Sequence, residues 1–134
     1  MFRPSKERGA AAVEFALVVP LLLVLLLGIL EFGRVYNAQI TLAQAAREGA
    51  RVMAIENNEA QAKSSIIQAA AALDPAHLSI QIESSDPSMS GPVFVDRCLS
   101  GHQVTVRITY SLSTITGFFG PTSLSGRGAM RCGG

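Results

Sequence analysis

One carboxyl group stands inside an otherwise apolar run. Glu14 follows the gentle stretch Ala10 to Val13 and precedes 16 uncharged residues, Phe15 to Leu30, of which 13 are Phe, Leu, Val or Ile. An acid in that setting either snorkels along its own stem to the membrane–water border or is held for a positive partner. Gly9 lies directly between a basic leader, with Arg3, Lys6 and Arg8, and the apolar run. A glycine at such a border is a flexible site without a side chain, which a membrane-embedded protease can take in extended form. Other reactive groups are sparse. Cys98 and Cys132 are the only cysteines, and His77 and His102 the only histidines. No pair among them has close zinc-ligand spacing, so the histidines read as solvated loop residues. The sequence holds no GxSxG, HExxH, Walker or GxGxxG run, and nothing arranges its Ser, His and Asp residues as a triad. Neither metal, cofactor nor catalysis is expected.

The element that positions Glu14 is a membrane-length helix. From Ala10 to Leu30 a helix is roughly 31 Å long at 1.5 Å per residue, about one hydrocarbon thickness. Its large apolar residues contribute roughly −4 to −8 kcal/mol of insertion free energy, against at most about 3 kcal/mol for one carboxyl, and less near an edge. Pro20 is tolerable in such a span. The run ends in LEFGRVYN without a small-x-small cleavage site, which favours a retained anchor over a secretory signal. The basic leader keeps the N-terminus cytoplasmic and places the residues after Leu30 outside.

Composition sets the wider bounds. The chain has 134 residues, 11 Lys+Arg against 10 Asp+Glu and a net charge of +1. That length allows one domain plus a tail, and the near-neutral charge excludes a strongly basic nucleic-acid binder. Two cysteines are too few for a disulfide-dense scaffold. Only 16% of residues are charged, an unusually low share for a soluble domain.

Beyond the span, the polar stripe Asn37, Thr41, Gln44, Glu48, Arg51 steps by four, three, four, three. Phe32, Val35, Tyr36, Leu42, Ala46, Gly49, Ala50 and Met53 lie opposite, with Gln39 as the exception. One continuous helix from about Ala10 to about Ile55 is predicted, apolar all round in its first half and on one face in its second. Ala45, Ala46, Gly49 and Ala50 cluster small side chains where this helix meets its partner. Gly49 argues for packing over propensity, because a mid-helix glycine costs about 1 kcal/mol relative to alanine. Arg47, Glu48 and Arg51 read as a solvated face, and Glu31 as a solvated carboxylate near Arg34.

Asn57 or Asn58 caps a second helix from about Glu59 to Leu73, which Asp74-Pro75 ends. Leu78, Ile80 and Ile82 alternate with polar residues as a strand. Ser84 to Pro92 reads as loop. Val104, Val106, Ile108, Tyr110 and Leu112 mark the clearest strand. Thr122 to Cys132 forms a third, weakened by Gly126 and Gly128. The fold class is therefore α+β and membrane-anchored: a long helix, a short one, and an antiparallel sheet of about three strands laid on the amphipathic half of the long helix. Residues 1–9 form the leader, 10–30 the transmembrane helix and 31–134 the extracytoplasmic domain. In an oxidising space, a Cys98–Cys132 bond would close a loop of about 35 residues, worth roughly 4 kcal/mol in the chain-entropy model. Two free, partly buried thiols are the alternative.

The basic leader, glycine, four residues and Glu14-Phe15 resemble the processing site of prepilins of the Flp (Tad) branch of type IV pili. GAAAVEFALVVPLLLVLLLGILEFGR followed by AAREGAR resembles the TadE-like pseudopilins, strongly over Arg8 to Arg51 and more weakly beyond. The resemblance implies a pilin-like fold and cleavage after Gly9 by an aspartic prepilin peptidase, with Glu14 and Phe15 in recognition and assembly. Ala10 becomes the first residue of the mature chain and Glu14 the fifth. The membrane segment leads straight into a longer domain, which fits a minor pseudopilin and departs from the short major pilin. Cleavage would leave an ammonium group on Ala10, which in a bundle of such helices meets another subunit's Glu14.

The expected function is that of a non-enzymatic assembly subunit of a Tad-type pilus or related secretion machine, in a bacterial inner membrane. Its expected partners are membrane lipid, the prepilin peptidase, other pilin or pseudopilin subunits and the inner-membrane assembly platform, and not nucleic acid. The alternative is an uncleaved, single-pass envelope-anchored binding or scaffold protein. No constellation speaks for a third reading, a membrane-anchored hydrolase.

Overall fold

A computed structural model of the chain describes residues 6–85, 93–94, 97–117 and 120–133. The chain divides into two compact units, Met1–Arg34 and Val35–Gly134, and helix α1, Lys6–Glu56, contributes to both.

In the first unit α1 is a bare apolar helix. Side chains from Val13 to Leu30 are exposed on every side, Phe15 at 70% and Leu21 at 68% among them. Pro20 sits inside the helix without ending it. One residue departs from the expectation of a solvated charge: Glu31 is buried, at 8% exposure. Positions 31, 35, 38, 42, 45 and 49 recur at three- and four-residue steps along one side of α1, and Glu31 is the charged member of that series.

In the second unit the rest of α1 is joined, among the described residues, by α2, Glu59–Ala69, a short 3-10 turn, Pro75–His77, and four strands. These are β1, Leu78–Ser85, β2, Val93–Phe94, β3, Gln103–Leu112, and β4, Thr122–Arg131. The sheet is antiparallel in the order β2-β1-β3-β4. The three longer strands match the sequence reading, and the two-residue β2 extends the edge. Ser84 and Ser85 belong to β1 rather than to the loop beyond it, because Ser84 pairs with both Val104 and Val93. The rest of that expected loop, 86–92, lies outside the described residues.

The core lies between α1 and the sheet. Ala38, Leu42, Ala45, Ala46, Ala50, Met53 and Ala54 of α1 face Val104, Val106, Ile108, Tyr110 and Leu112 of β3, with Ile82 and Leu124 beside them. Ala62 and Ile66 of α2 join the same cluster. The small α1 residues let the sheet come close, and the alternating β3 residues supply the volume. Phe32 and Tyr36, expected on the apolar side of α1, are instead 72% and 61% exposed. Gln39, the exception in that stripe, is exposed and donates its Nε2–H to the Ser125 carbonyl of β4 at 2.8 Å.

Two boundaries are sharper than the sequence indicated. Asn58, not Asn57, caps α2: its Oδ1 accepts the Gln61 N–H at 3.2 Å. The helix then stops at Ala69, short of Leu73. Ala70 leaves helical geometry at φ −99 and ψ 25, and the Leu73 N–H closes the next turn on the Ala70 carbonyl at 2.8 Å. The run of alanines favours helix up to Leu73, but Ala70, buried in the core, already has non-helical backbone angles.

Candidate functional site

The residues of the expected processing site share two turns of α1. Gly9, Ala10, Glu14 and Phe15 are helical and exposed. Ala10 and Glu14 are four residues apart and lie on the same face. Among the described residues no ion pair or hydrogen bond engages Glu14. Space around Gly9 is open, with nothing within 4 Å of where a Cβ would stand. This part of the chain offers a polar end, a carboxyl group and an aromatic ring on an otherwise apolar rod.

The small residues of α1 are occupied by the chain itself. Ala46 and Ala50 are 0% and 1% exposed. At Gly49 a Cβ would stand 2.5 Å from Cδ1 of Ile66, so α2 packs its central isoleucine directly onto the glycine. Along the neighbouring face, Gly126 and Gly128 of β4 approach the α1 backbone. A Cβ at Gly126 would lie 2.5 Å from the Leu42 carbonyl carbon, and one at Gly128 2.5 Å from that of Ala46. The strand was expected to be weakened by these glycines. Instead β4 is a full ten-residue strand paired along its whole length with β3. Glycine is required there because no side chain fits between strand and helix.

Cys98 and Cys132 form a disulfide, with their Cα atoms 5.3 Å apart. The bond ties the end of β4 to the segment that enters β3. Its surroundings bind it to the helices as well. The Cys98 N–H donates to Oδ1 of Asn57 at 2.5 Å, and the Cys132 N–H donates to the His102 carbonyl at 2.9 Å. Asn57, in the turn between α1 and α2, has φ 50, a left-handed conformation that asparagine tolerates better than most residues. The expected candidate for the cap therefore has a different task, joining the interhelical corner to the disulfide.

His77 and His102 stand apart in chemistry. His77 is exposed in the 3-10 turn, 3.9 Å from Asp74 and edge-on to the Tyr110 ring at 6.4 Å. His102 is half-buried. Among the described residues no group of three or more His, Cys, Asp or Glu is placed to hold a metal ion. On the helix face, Arg51 and Glu48 pair at 2.9 Å. Hydrogen bonding to Arg51 holds the Glu48 carboxyl below its ordinary range, and the same contact raises the Arg51 pKa.

Sequence reasoning missed two features. The two β4 glycines were legible as glycines but not as contacts. The Arg107–Arg127 pair, opposite each other across β3 and β4, required the register. Its signal was the alternation of polar residues along both strands.

Residues 9–51 match the family model of the TadE-like proteins. The match opens at Gly9, takes in the apolar run and ends at Arg51, inside the part of α1 that packs on the sheet. Neither a curated protein nor a solved structure matches the chain. Among the described residues one helix, Gly9–Glu56 as a candidate span, is long and apolar enough to cross a membrane.

Proposed function

We propose that the chain is a structural, non-enzymatic subunit of a Tad (Flp)-type pilus or related secretion machine, a minor pseudopilin held in the inner membrane by α1. The observation that carries this reading is the TadE-like match over residues 9–51, which begins at the glycine and includes Glu14. The exposed apolar surface from Val13 to Leu30 supports it physically, since such a surface in water would drive aggregation and in lipid costs nothing. The leader stays cytoplasmic, residues 10–30 span the bilayer, and the domain beyond them faces outward.

In this account a prepilin peptidase cuts after Gly9. Gly9 lies in the first turns of α1, where helix ends fray and glycine weakens the helix by about 1 kcal/mol relative to alanine. The peptide there is therefore the part of the rod most easily drawn out into extended form, with Glu14 and Phe15 one turn further as recognition elements. The freed Ala10 ammonium then pairs with Glu14 of a neighbouring subunit, setting the axial register more than adding stability. Close helix packing supplies the attraction. Sequencing the N-terminus of the membrane-extracted protein tests the reading: Ala10 is expected as first residue, and an intact Met1 leader supports an uncleaved envelope tether instead.

A further inference from the structure

The sheet has a second face, turned away from α1, that the assembly account leaves without a task. Register places Gln81 of β1, Arg107 of β3 and Arg127 of β4 side by side in one row across three strands. All three are exposed. Two guanidinium groups directly opposite each other repel, and among the described residues neither is in an ion pair. The nearest acid by register is Glu83, one row along and diagonal to Arg107. The adjoining row, Ser79, Thr109 and Ser125, offers only hydroxyl groups. Nothing in this chain's described residues uses the two forks.

We propose that this face, centred on the Arg107–Arg127 pair, binds carboxylates presented by an acidic segment of a partner protein. A guanidinium fork matches a carboxylate in bidentate geometry, and two forks on neighbouring strands take two acidic side chains or both oxygens of one. The flanking hydroxyls and the Gln81 amide complete the hydrogen bonds of the segment's backbone. Two features separate this ligand from other anions. Single-stranded nucleic acid requires aromatic stacking platforms, and the outward positions of β1, β3 and β4 hold only Ser, Thr, Gln, Glu, Ala and Arg. Interfacial binding to lipid requires apolar side chains that insert, and those positions supply none. The proposal does not depend on whether the leader is cleaved.

The test is a fluorescence-anisotropy titration of the full-length chain, in non-ionic detergent micelles, with labelled octaglutamate and octaglutamine. Octaglutamate is expected to bind and octaglutamine not. Arg107→Gln with Arg127→Gln should weaken binding at least about tenfold, the effect of losing one strong contact. Arg47→Gln, on the exposed side of α1, should leave it unchanged. Gln81→Glu gives a second line, because a carboxylate supplied from within the chain occupies Arg107: affinity should fall while the thermal midpoint rises. Equal binding by wild type and the double variant overturns the proposal. So does an arginine-dependent preference for phosphatidylglycerol vesicles over octaglutamate, or a Gln81→Glu protein that binds as tightly as wild type.

Discussion

Gly128 lies against the backbone of Ala46, so closely that a Cβ on the strand would stand 2.5 Å from the Ala46 carbonyl carbon and 2.6 Å from the Arg47 nitrogen. One turn earlier Gly126 meets Leu42 and Ala43 in the same way. Two glycines spaced by two on β4 thus meet helical residues spaced by four on α1. The steps are about 6.8 Å along a strand and about 6 Å along a helix, which is why the two elements stay in contact over both positions.

Gly128→Ala should therefore destabilise the domain by about 1–3 kcal/mol, because the obstacle is main chain on both sides and neither element yields without losing its pairing. Gly126→Ala should cost a similar amount. Chemical denaturation of the full-length protein in detergent, followed by the near-ultraviolet signal of Tyr110, reads the loss. An alanine variant as stable as wild type would contradict the close approach.

At Gly49 the obstacle is the Ile66 side chain, not backbone, so the cost of Gly49→Ala is conditional. Gly49→Ala alone should lose about 1–3 kcal/mol by overpacking, and Ile66→Ala alone about 2–5 kcal/mol by the cavity it leaves. Together they should lose less than the sum of the two, because the smaller side chain makes room for the new Cβ. A strictly additive double variant would show that the two residues do not touch.

Much of the fold was legible because its signals are periodic. The long helix, β1 and β3 announce themselves by steps of 3.6 and 2 residues, and β3 carries five core residues in strict alternation. What stayed hidden were relationships between elements. Gly126 and Gly128 read as weakness because propensity describes a strand alone, and only the helix opposite explains their absence of side chains. Glu31 read as solvated because it is charged, while in the structure it is buried. Asn57 and Asn58 are adjacent and chemically equivalent in sequence. Their tasks divide only once Cys98 comes within reach of the first. At the N-terminus the pattern Gly9 to Phe15 was legible, but the task proposed for it, assembly with other molecules, is one that no single chain displays.

The disulfide and Asn57 act on one corner of the domain. Removing the bond with Cys98→Ser and Cys132→Ser should cost about 3–4 kcal/mol, for a sequence separation of 34 residues. Asn57→Ala should lose both the bond to Cys98 and a side chain suited to positive φ. Asn57→Gly should restore the backbone part only, giving an intermediate stability. Thermal unfolding midpoints in the order wild type, glycine, alanine are expected, and alanine equal to glycine would contradict the left-handed assignment.

Glu48 gives a small, signed pH effect. Its folded-state pKa is lowered by the Arg51 hydrogen bond, so its contribution is present above the ordinary carboxylate pKa and is lost as pH falls through the lowered one. The pair is exposed, and the effect is correspondingly slight. Glu48→Gln should leave stability at neutral pH nearly unchanged and flatten its decline at acid pH. A steeper acid decline in the variant than in wild type would contradict the sign.

We propose that Glu14 is retained in an apolar helix for a neighbour's amine. The decisive experiment is membrane insertion and pilus formation by Glu14→Ala in cells lacking the native copy. The variant is expected to enter the membrane in wild-type amounts and to fail to support piliation. Wild-type piliation by that variant would overturn the pairing.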